Sequence, residues 1–139
     1  FLIEGWRTLG IELTFGGAGS YIKNPNCFGS ATSADLVMEN GYKLIGSAQV
    51  YRDSCVLQHG SIRLRPDPAL FYQVFGDALE TPQLPESCLS EDGVGNVMEA
   101  LTTAASRCFD ASFQPCPLSS SEQTEISTDY KTRFEPLSV

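Results

Sequence analysis

Cys27 and Lys43 are the residues whose types are best suited to covalent chemistry in this sequence. A thiol with a pKa of about 8.5 is only a few per cent ionised at neutral pH, so a nucleophilic cysteine needs a nearby cation or helix N-terminus. The ammonium of Lys43 can supply that cation, and it can also stabilise an acyl oxygen as negative charge develops there. The pair would suit nucleophilic catalysis, but by residue type alone one cysteine among five is more often a small buried apolar residue.

A β-hairpin is predicted to position Lys43. Asn40-Gly41 separates two runs of strand-forming residues, which is a strong signal for a two-residue turn. Side chains alternate across a strand, so Lys43 is expected among apolar neighbours, where an ammonium either extends to water or is held for a ligand. The register predicts three cross-strand pairs, namely Glu39 with Tyr42, Met38 with Lys43 and Leu36 with Ile45.

Further strands are predicted on both sides of the hairpin. After a polar turn at residues 51–54, residues 55–64 favour a third strand and hence an antiparallel meander. Ile11, Leu13 and Phe15 alternate with polar residues and predict a half-buried strand before the glycine-rich residues 16–19. A phosphate loop would need a helix behind those glycines, so a flexible loop is the favoured interpretation.

Helices are predicted from apolar spacing and caps. One ends at Gly10, and one begins at Asp67-Pro68 and ends at Gly76, with an apolar stripe expected to pack on the meander. Residues 77–95 favour a long surface connection, residues 96–109 a helix with Cys108 on its apolar face, and Ser119 with Glu122 a capping box for a last helix. The whole predicts one domain over residues 1–139, an α/β (α+β) fold with an antiparallel β-meander packed against helices.

Four short motifs lie in one order along the first half of the chain: Asn-Cys-Phe at 26–28, Ala-Asp-Leu-Val at 34–37, Gly-Tyr-Lys-Leu-Ile-Gly-Ser-Ala-Gln at 41–49 and Leu-Gln-His-Gly-Ser-Ile at 57–62. Together they resemble the biotin/lipoyl protein ligase superfamily, and within it the lipoate branch. The resemblance implies a partial class II synthetase-like domain, corresponding to the C-terminal portion of a lipoate ligase or octanoyltransferase catalytic domain.

The resemblance implies an activity that depends on Cys27. Octanoyltransferases of this branch carry such a cysteine, which becomes an acyl thioester, and they move octanoate from acyl carrier protein to a lipoyl domain or a glycine cleavage H-type protein. Lipoate ligases typically lack it and use ATP and Mg²⁺ to make an acyl adenylate. The cysteine favours acyl transfer without a cofactor, with Lys43 beside it, and leaves the ATP-dependent ligase as the alternative.

The remaining candidate site residues follow from the same motifs. Gly46 and Gly60 are expected where a ligand or another backbone approaches closely, because glycine inside a strand often marks such a place. Ser47 and Asp35 are expected to orient polar parts of a substrate. His59 is a possible general base by its pKa, but the resemblance gives the activating role to lysine and leaves His59 to shape and hydrogen bonding.

The resemblance also shows departures from the family pattern. The arginine pair and glycine-rich turn that wall the acyl pocket in the family have no counterpart here, and Tyr51 stands where many relatives carry arginine. A third interpretation is therefore an inactive fragment that needs a complementary N-terminal half, or that self-associates over strand edges as a homodimer.

Charge is unevenly distributed along the chain. Residues 1–66 contain six Lys/Arg and five Asp/Glu, whereas residues 67–139 contain three and twelve, for a net charge of −8. No basic face can be assembled for nucleic acid, and no apolar run would span a membrane. Four basic residues are expected near the site, where they would suit an acidic carrier protein or would simply be solvated: Lys23, Arg52, Arg63 and Arg65.

The five cysteines and the single histidine have no spacing typical of a zinc site. No secretion signal opens the sequence, so reduced thiols and a cytoplasmic location are expected, and a disulfide between Cys108 and Cys116 stays open.

Overall fold

The computed structural model describes residues 1–17 and 29–134, with side chains described as far as residue 130. Cys27 and Lys23 lie outside the described residues. The helices are α1 (Leu2–Thr8), α2 (Pro68–Phe75), α3 (Glu86–Leu89), α4 (Gly93–Phe109) and α5 (Ser120–Phe134), and the strands are β1 (Leu13–Phe15), β2 (Leu36–Met38), β3 (Lys43–Arg52) and β4 (Cys55–Ile62).

The described strands form one antiparallel sheet in the order β1-β2-β3-β4. The predicted meander is confirmed as β2, β3 and β4, and β1 adds to it along β2. The mixed α/β class predicted from the sequence is also confirmed. Phe15 is the exception in β1, because it is 68% exposed rather than half-buried as its alternation suggested.

The turn between β2 and β3 differs from the prediction. Gly41 N–H donates to the Met38 carbonyl and Met38 N–H to the Tyr42 carbonyl, so the loop holds three residues and ends at Gly41 with φ of 83°. This is the type of hairpin in which a turn is followed by a left-handed glycine. Val37, not Met38, therefore pairs with Lys43.

A register shift restores the predicted pair of Leu36 with Ile45. Between Val37 and Leu36 the pairing slips by one residue on β3, and Leu36 faces Ile45 as predicted. A bulge places two successive residues of the longer strand opposite one on its partner. Leu44 and Ile45 are consequently both buried, although strict alternation would have exposed one of them.

The core lies between the sheet and the helices α1, α3 and α4. Its fully buried side chains are Trp6, Leu44, Ile45 and Cys88. A Cβ atom on Gly5 would lie 2.7 Å from Cδ2 of Leu101 and 3.2 Å from the Ala100 carbonyl oxygen, so glycine at this position lets α1 pack closely on α4. The first half of the chain is thus held against a helix from the second half.

The caps predicted at both ends of α2 and at the start of α5 are confirmed. The Asp67 side chain accepts hydrogen bonds from the N–H groups of Ala69 and Leu70 at 2.8 and 3.0 Å, and Gly76 ends α2 with φ of 70°. Ser119 and Glu122 form the predicted capping box before α5, with Glu122 accepting from the Ser119 N–H at 2.8 Å.

Three packing predictions were wrong. No residue of α2 is buried, so its apolar stripe does not pack on the meander. The segment 77–95 is more than a surface connection, because it buries Leu84 and Cys88 and contains α3. Cys108 is exposed, since α4 turns Ala104 and Ala105 rather than its last turn towards the core. Among the described residues, no helix is long and apolar enough to cross a bilayer.

Candidate functional site

Lys43 is held by two oxygen atoms. Its Nζ atom lies 3.0 Å from Oδ2 of Asp35 and 3.1 Å from the carbonyl oxygen of Ser30, and only 10% of the side chain is exposed. The expectation of an apolar neighbourhood was therefore wrong, because a buried carboxylate faces the ammonium. The amine is fixed next to the segment that directly follows the Asn-Cys-Phe motif.

Asp35 is buried to 3% exposure and is surrounded by donors. Oδ2 accepts from the Thr32 N–H at 2.7 Å and the Thr32 hydroxyl at 3.0 Å, and Oδ1 accepts from the Ser47 N–H at 3.0 Å. Burial alone would raise the pKa of Asp35, but the hydrogen bonds from Thr32, Lys43 and Ser47 lower it overall. The carboxylate is ionised at neutral pH and its oxygens are occupied by protein donors.

A tight turn places Asp35. Asp35 N–H donates to the Thr32 carbonyl at 3.0 Å, and the Gly16 N–H donates to the Asp35 carbonyl at 2.9 Å. A Cβ atom on Gly16 would lie 2.4 Å from the Thr32 carbonyl oxygen, so the end of β1 approaches this turn too closely for any other residue. The strand β1 thus supports the turn that carries the carboxylate.

The other predicted residues lie along β3 and β4. Ser47 faces Gly60 across the two strands, and a Cβ atom on Gly60 would lie 3.3 Å from the Gly46 carbonyl oxygen. The close approach expected at Gly60 is therefore to another backbone. His59 is exposed and pairs with Ala48, so alternation places it on the other face of the two strands from Ser47.

An apolar cleft of about 770 Å³ opens beside Ser47. This volume lies within the range of small-molecule sites, about 300–1,000 Å³. The cleft runs between the sheet and the ends of α1 and α4, with more apolar than polar lining, and among its walls are Leu2, Phe15, Leu36, Ser47 and Phe109. Ser47 thus links the Asp35–Lys43 pair, through its N–H, to a space that suits an apolar chain.

Arg52 and Arg63, two of the four basic residues expected near the site, are placed differently from that expectation. Arg52 lies nine residues after Lys43 in the same strand, about 30 Å away at the usual rise of a strand. Arg63 lies over the ring of Tyr42, with its guanidinium carbon 4.8 Å from the ring centre. Arg52 is thus far from Lys43, and Arg63 is engaged with an aromatic ring rather than presented at the site.

Cys55, Cys88, Cys108 and Cys116 are free thiols, so the described pair Cys108 and Cys116 is not bridged. Within residues 1–17 and 29–134, no group of three or more His, Cys, Asp or Glu side chains is arranged to hold a metal ion.

The ion pair between Asp35 and Lys43 and the supporting role of Gly16 were not predicted from the sequence. The available signal for Asp35 was its spacing from Thr32, which is compatible with a local turn closed by a side-chain hydrogen bond. No local signal marks Gly16, because its contact is with a residue sixteen positions away.

Similar sequences are octanoyltransferases. The chain is 29% identical to octanoyltransferase LipM of an Exiguobacterium species over 88% of its own length, and 27% identical to that of Halalkalibacterium halodurans over 96%. It is 35% identical to octanoyltransferase LipM of Anoxybacillus flavithermus over 53% of its length. The chain spans about half the length of the first two relatives, 51% and 56%. No family model matches the sequence.

Similar folds are lipoate-protein ligases. A protein of T. acidophilum assigned as a lipoate protein ligase superimposes on 96% of this chain with a TM-score of 0.70 and 16% identity. A lipoate-protein ligase A bound with ATP superimposes on 95% with a TM-score of 0.67 and 16% identity. The chain covers 51% of each. Its fold is therefore that of part of a ligase or transferase domain of this type.

The chain is thus similar in sequence to octanoyltransferases and similar in fold to part of two lipoate-protein ligases.

Proposed function

We propose that this chain supplies the nucleophile and the positioned lysine of an octanoyltransferase in protein lipoylation. The observation that carries the proposal is the fixed ammonium of Lys43, bonded to the Ser30 carbonyl at 3.1 Å. Cys27 precedes Ser30 by three residues, so chain connectivity limits the distance between their Cα atoms to about 11 Å. The relatives named octanoyltransferase support the same interpretation.

The proposed reaction has two acyl transfers. The thiolate of Cys27 attacks the octanoyl thioester of acyl carrier protein, a new C–S bond forms, and the carrier thiol leaves with a proton. The amine of a lysine in a lipoyl domain or H-type protein then attacks the acyl-enzyme, an amide forms, the amine loses a proton, and the Cys27 thiolate is released. No bond is oxidised or reduced, and neither ATP nor a metal is consumed.

Lys43 has two roles in this proposal. A thiolate about 4 Å from its ammonium would gain about 4 kcal/mol at an effective dielectric of about 20, and the negative Asp35 carboxylate offsets part of this. The ammonium also donates to the acyl oxygen as charge develops there. Asp35 does not contact substrate in this proposal. It positions Lys43, because its oxygens already accept from Lys43, Thr32 and Ser47.

The apolar cleft beside Ser47 is proposed to hold part of the acyl chain. Ser47 lies in the cleft wall while its N–H binds Asp35, so the cleft is one residue removed from the ion pair. Gly46, His59 and Gly60 shape the neighbouring part of β3 and β4 in this proposal. We place the enzyme in the cytoplasm, where cysteine thiols are kept reduced.

A lipoate-protein ligase is the second candidate, because a ligase bound with ATP has this fold. In that case Lys43 would contact the carboxylate of lipoate and the phosphate of an adenylate, and Cys27 would be incidental. Asp35 at 3.0 Å weakens the attraction of Lys43 for a phosphate and for a thiolate alike, so the ion pair does not separate the two functions. We favour acyl transfer because the sequence carries Cys27 and the similar sequences are named octanoyltransferases.

The two functions are separated by their need for ATP. Octanoyl transfer from acyl carrier protein to a lipoyl domain is measured with this chain alone and with the complementary half of a relative added, each with and without ATP and Mg²⁺. Transfer without ATP supports the proposal. Product formation that requires ATP and free octanoate or lipoate, and that persists in Cys27→Ser, would overturn it.

A further inference from the structure

The distal part of β3 and β4 forms a two-stranded ribbon. The strand β2 pairs with β3 only at Lys43 and Ile45, whereas β4 pairs with β3 along the whole stretch from Ile45 to Arg52. Beyond Ile45 the ribbon, residues 46–61, therefore has no third strand among the described residues. A two-stranded ribbon is marginal in water unless something packs on it.

Both faces of this ribbon are apolar near its tip. Tyr51 pairs with Val56 on one face and Val50 pairs with Leu57 on the other. Their exposed fractions are 72%, 55%, 54% and 65%. An antiparallel sheet with one solvated face has polar residues on that face, and strands with apolar residues on both faces are normally covered on both. The tip of the ribbon thus has exposed apolar side chains on both faces, where covered strands would have them.

Among the described strands, none pairs with the outer edge of β4. Its eight residues, Cys55–Ile62, contain no Lys, Arg, Asp, Glu or Pro. Proteins usually block an edge strand with charges, proline or a covering segment, because unpaired N–H and C=O groups accept another strand. An uncharged edge of this length favours the addition of a strand from a partner.

We infer that the ribbon is the docking surface for a polypeptide equivalent to the half of a lipoate-type domain that this chain does not match. Two folds superimpose on 95–96% of this chain, and it covers 51% of each, so they contain about as much polypeptide again. A strand of that half pairs with β4, and further segments of that half cover the two apolar pairs.

The test uses this chain co-expressed with the residues of the Exiguobacterium octanoyltransferase that it does not match. Capture through a tag on the added half, followed by sedimentation velocity, is expected to give a one-to-one complex. In hydrogen exchange, the amides of residues 55–62 are expected to be slower in the complex than in the chain alone. This second measurement needs no variant.

The double variant Val56→Asp and Leu57→Asp places a charge on each face and is expected to weaken capture at least tenfold. Met98→Asp is the matched control, since Met98 is 63% exposed on α4, and it is expected to bind as the unsubstituted chain does. Absence of capture, capture that the double variant leaves unchanged, or protection of residues 55–62 that arises from self-association of this chain alone would overturn the inference.

The inference rests on the fold and not on acyl chemistry. Sedimentation and hydrogen exchange need no acyl substrate, so a failed docking experiment leaves the proposed transfer standing. Equally, a one-to-one complex that transfers no octanoate would overturn the proposed function and leave the docking surface standing.

Discussion

Oδ2 of Asp35 and Nζ of Lys43 lie 3.0 Å apart, and both side chains are almost fully buried, at 4% and 10% exposure. A buried charge is tolerated when it is paired and its remaining hydrogen-bonding capacity is satisfied. Here Thr32 and Ser47 donate hydrogen bonds to the Asp35 carboxylate, and the Ser30 carbonyl accepts one from the Lys43 ammonium. The pair fixes one amine in one place, which a catalytic or binding lysine requires.

Removal of the carboxylate is expected to cost stability as well as activity. Asp35→Ala leaves the Lys43 ammonium without its buried counter-charge, and breaking such a pair costs about 3–5 kcal/mol. Asp35→Asn keeps the shape and part of the hydrogen bonding and should cost less. Urea unfolding measures both, and Asp53→Ala, at an exposed ion pair with Arg52, should stay within about 1 kcal/mol. Equal effects at the two positions would contradict the account.

The stability should depend on pH through Asp35. Its folded pKa is lowered below the ordinary value of about 3.9, so its contribution is fully present above that value and is lost as pH falls through the folded pKa. The free energy of unfolding of the unsubstituted chain should therefore decrease below about pH 4. Asp35→Asn should remove that part of the decrease, and an unchanged pH profile in this variant would argue against a lowered pKa.

The hydroxyl of Thr32 should help to keep the pKa of Asp35 low. Thr32→Val removes the hydroxyl that donates to Oδ2 at 3.0 Å and keeps the backbone donor at 2.7 Å. A hydrogen bond to a charged group contributes about 1.5–3 kcal/mol, so the variant should lose stability and its acid transition should move to higher pH. Thr32→Ser, which keeps the hydroxyl, is the control and should behave like the unsubstituted chain.

Gly16 should be irreplaceable although it makes no side-chain contact. A Cβ atom there would lie 2.4 Å from the Thr32 carbonyl oxygen, and forcing an atom into a packed site typically costs about 1–3 kcal/mol. Gly16→Ala should therefore lower stability and displace the Thr32–Asp35 turn. At Gly17 no described residue has an atom within 4 Å of an added Cβ, so Gly17→Ala should be close to neutral. Thermal unfolding of the two variants compares them directly.

Lys43 itself should be essential for transfer. Lys43→Met removes the cation from the site, and loss of one electrostatic stabiliser typically reduces kcat by about 10²–10³. Arg52→Met is the matched control, because Arg52 is an exposed cation at the other end of the same strand. Octanoyl transfer in the presence of the complementary half measures both, and a Lys43→Met enzyme as active as Arg52→Met would refute the role.

Local signals in the sequence predicted much of the fold. The caps at Asp67, Gly76 and Ser119 act within one turn of the helix, and they were confirmed because few competing contacts act at that range. The meander was confirmed for the same reason. The turn at Asn40-Gly41 was predicted correctly in place but one residue too short, since two-residue and three-residue loops share those residues.

Features that depend on distant contacts were not predictable from the sequence. The register shift beside Leu44 and the exposure of α2 depend on what packs against each element, and no local pattern records that. In the candidate site, too, the residue types were predictable from the sequence and the long-range contact between them was not. The motifs identified Lys43 and Asp35 as candidates, but the ion pair between them joins the turn before β2 to the strand β3 and was visible only in the fold.

The central claim is that Cys27 carries the acyl group, and mass spectrometry after incubation with octanoyl acyl carrier protein tests it most directly. Without ATP, the account predicts one octanoyl adduct on the peptide containing Cys27, removed by neutral hydroxylamine and absent in Cys27→Ser. Cys55→Ser and Cys116→Ser, which remove exposed thiols, should keep the adduct. An adduct that persists in Cys27→Ser, or a Cys27→Ser chain with full transfer activity, would contradict the account.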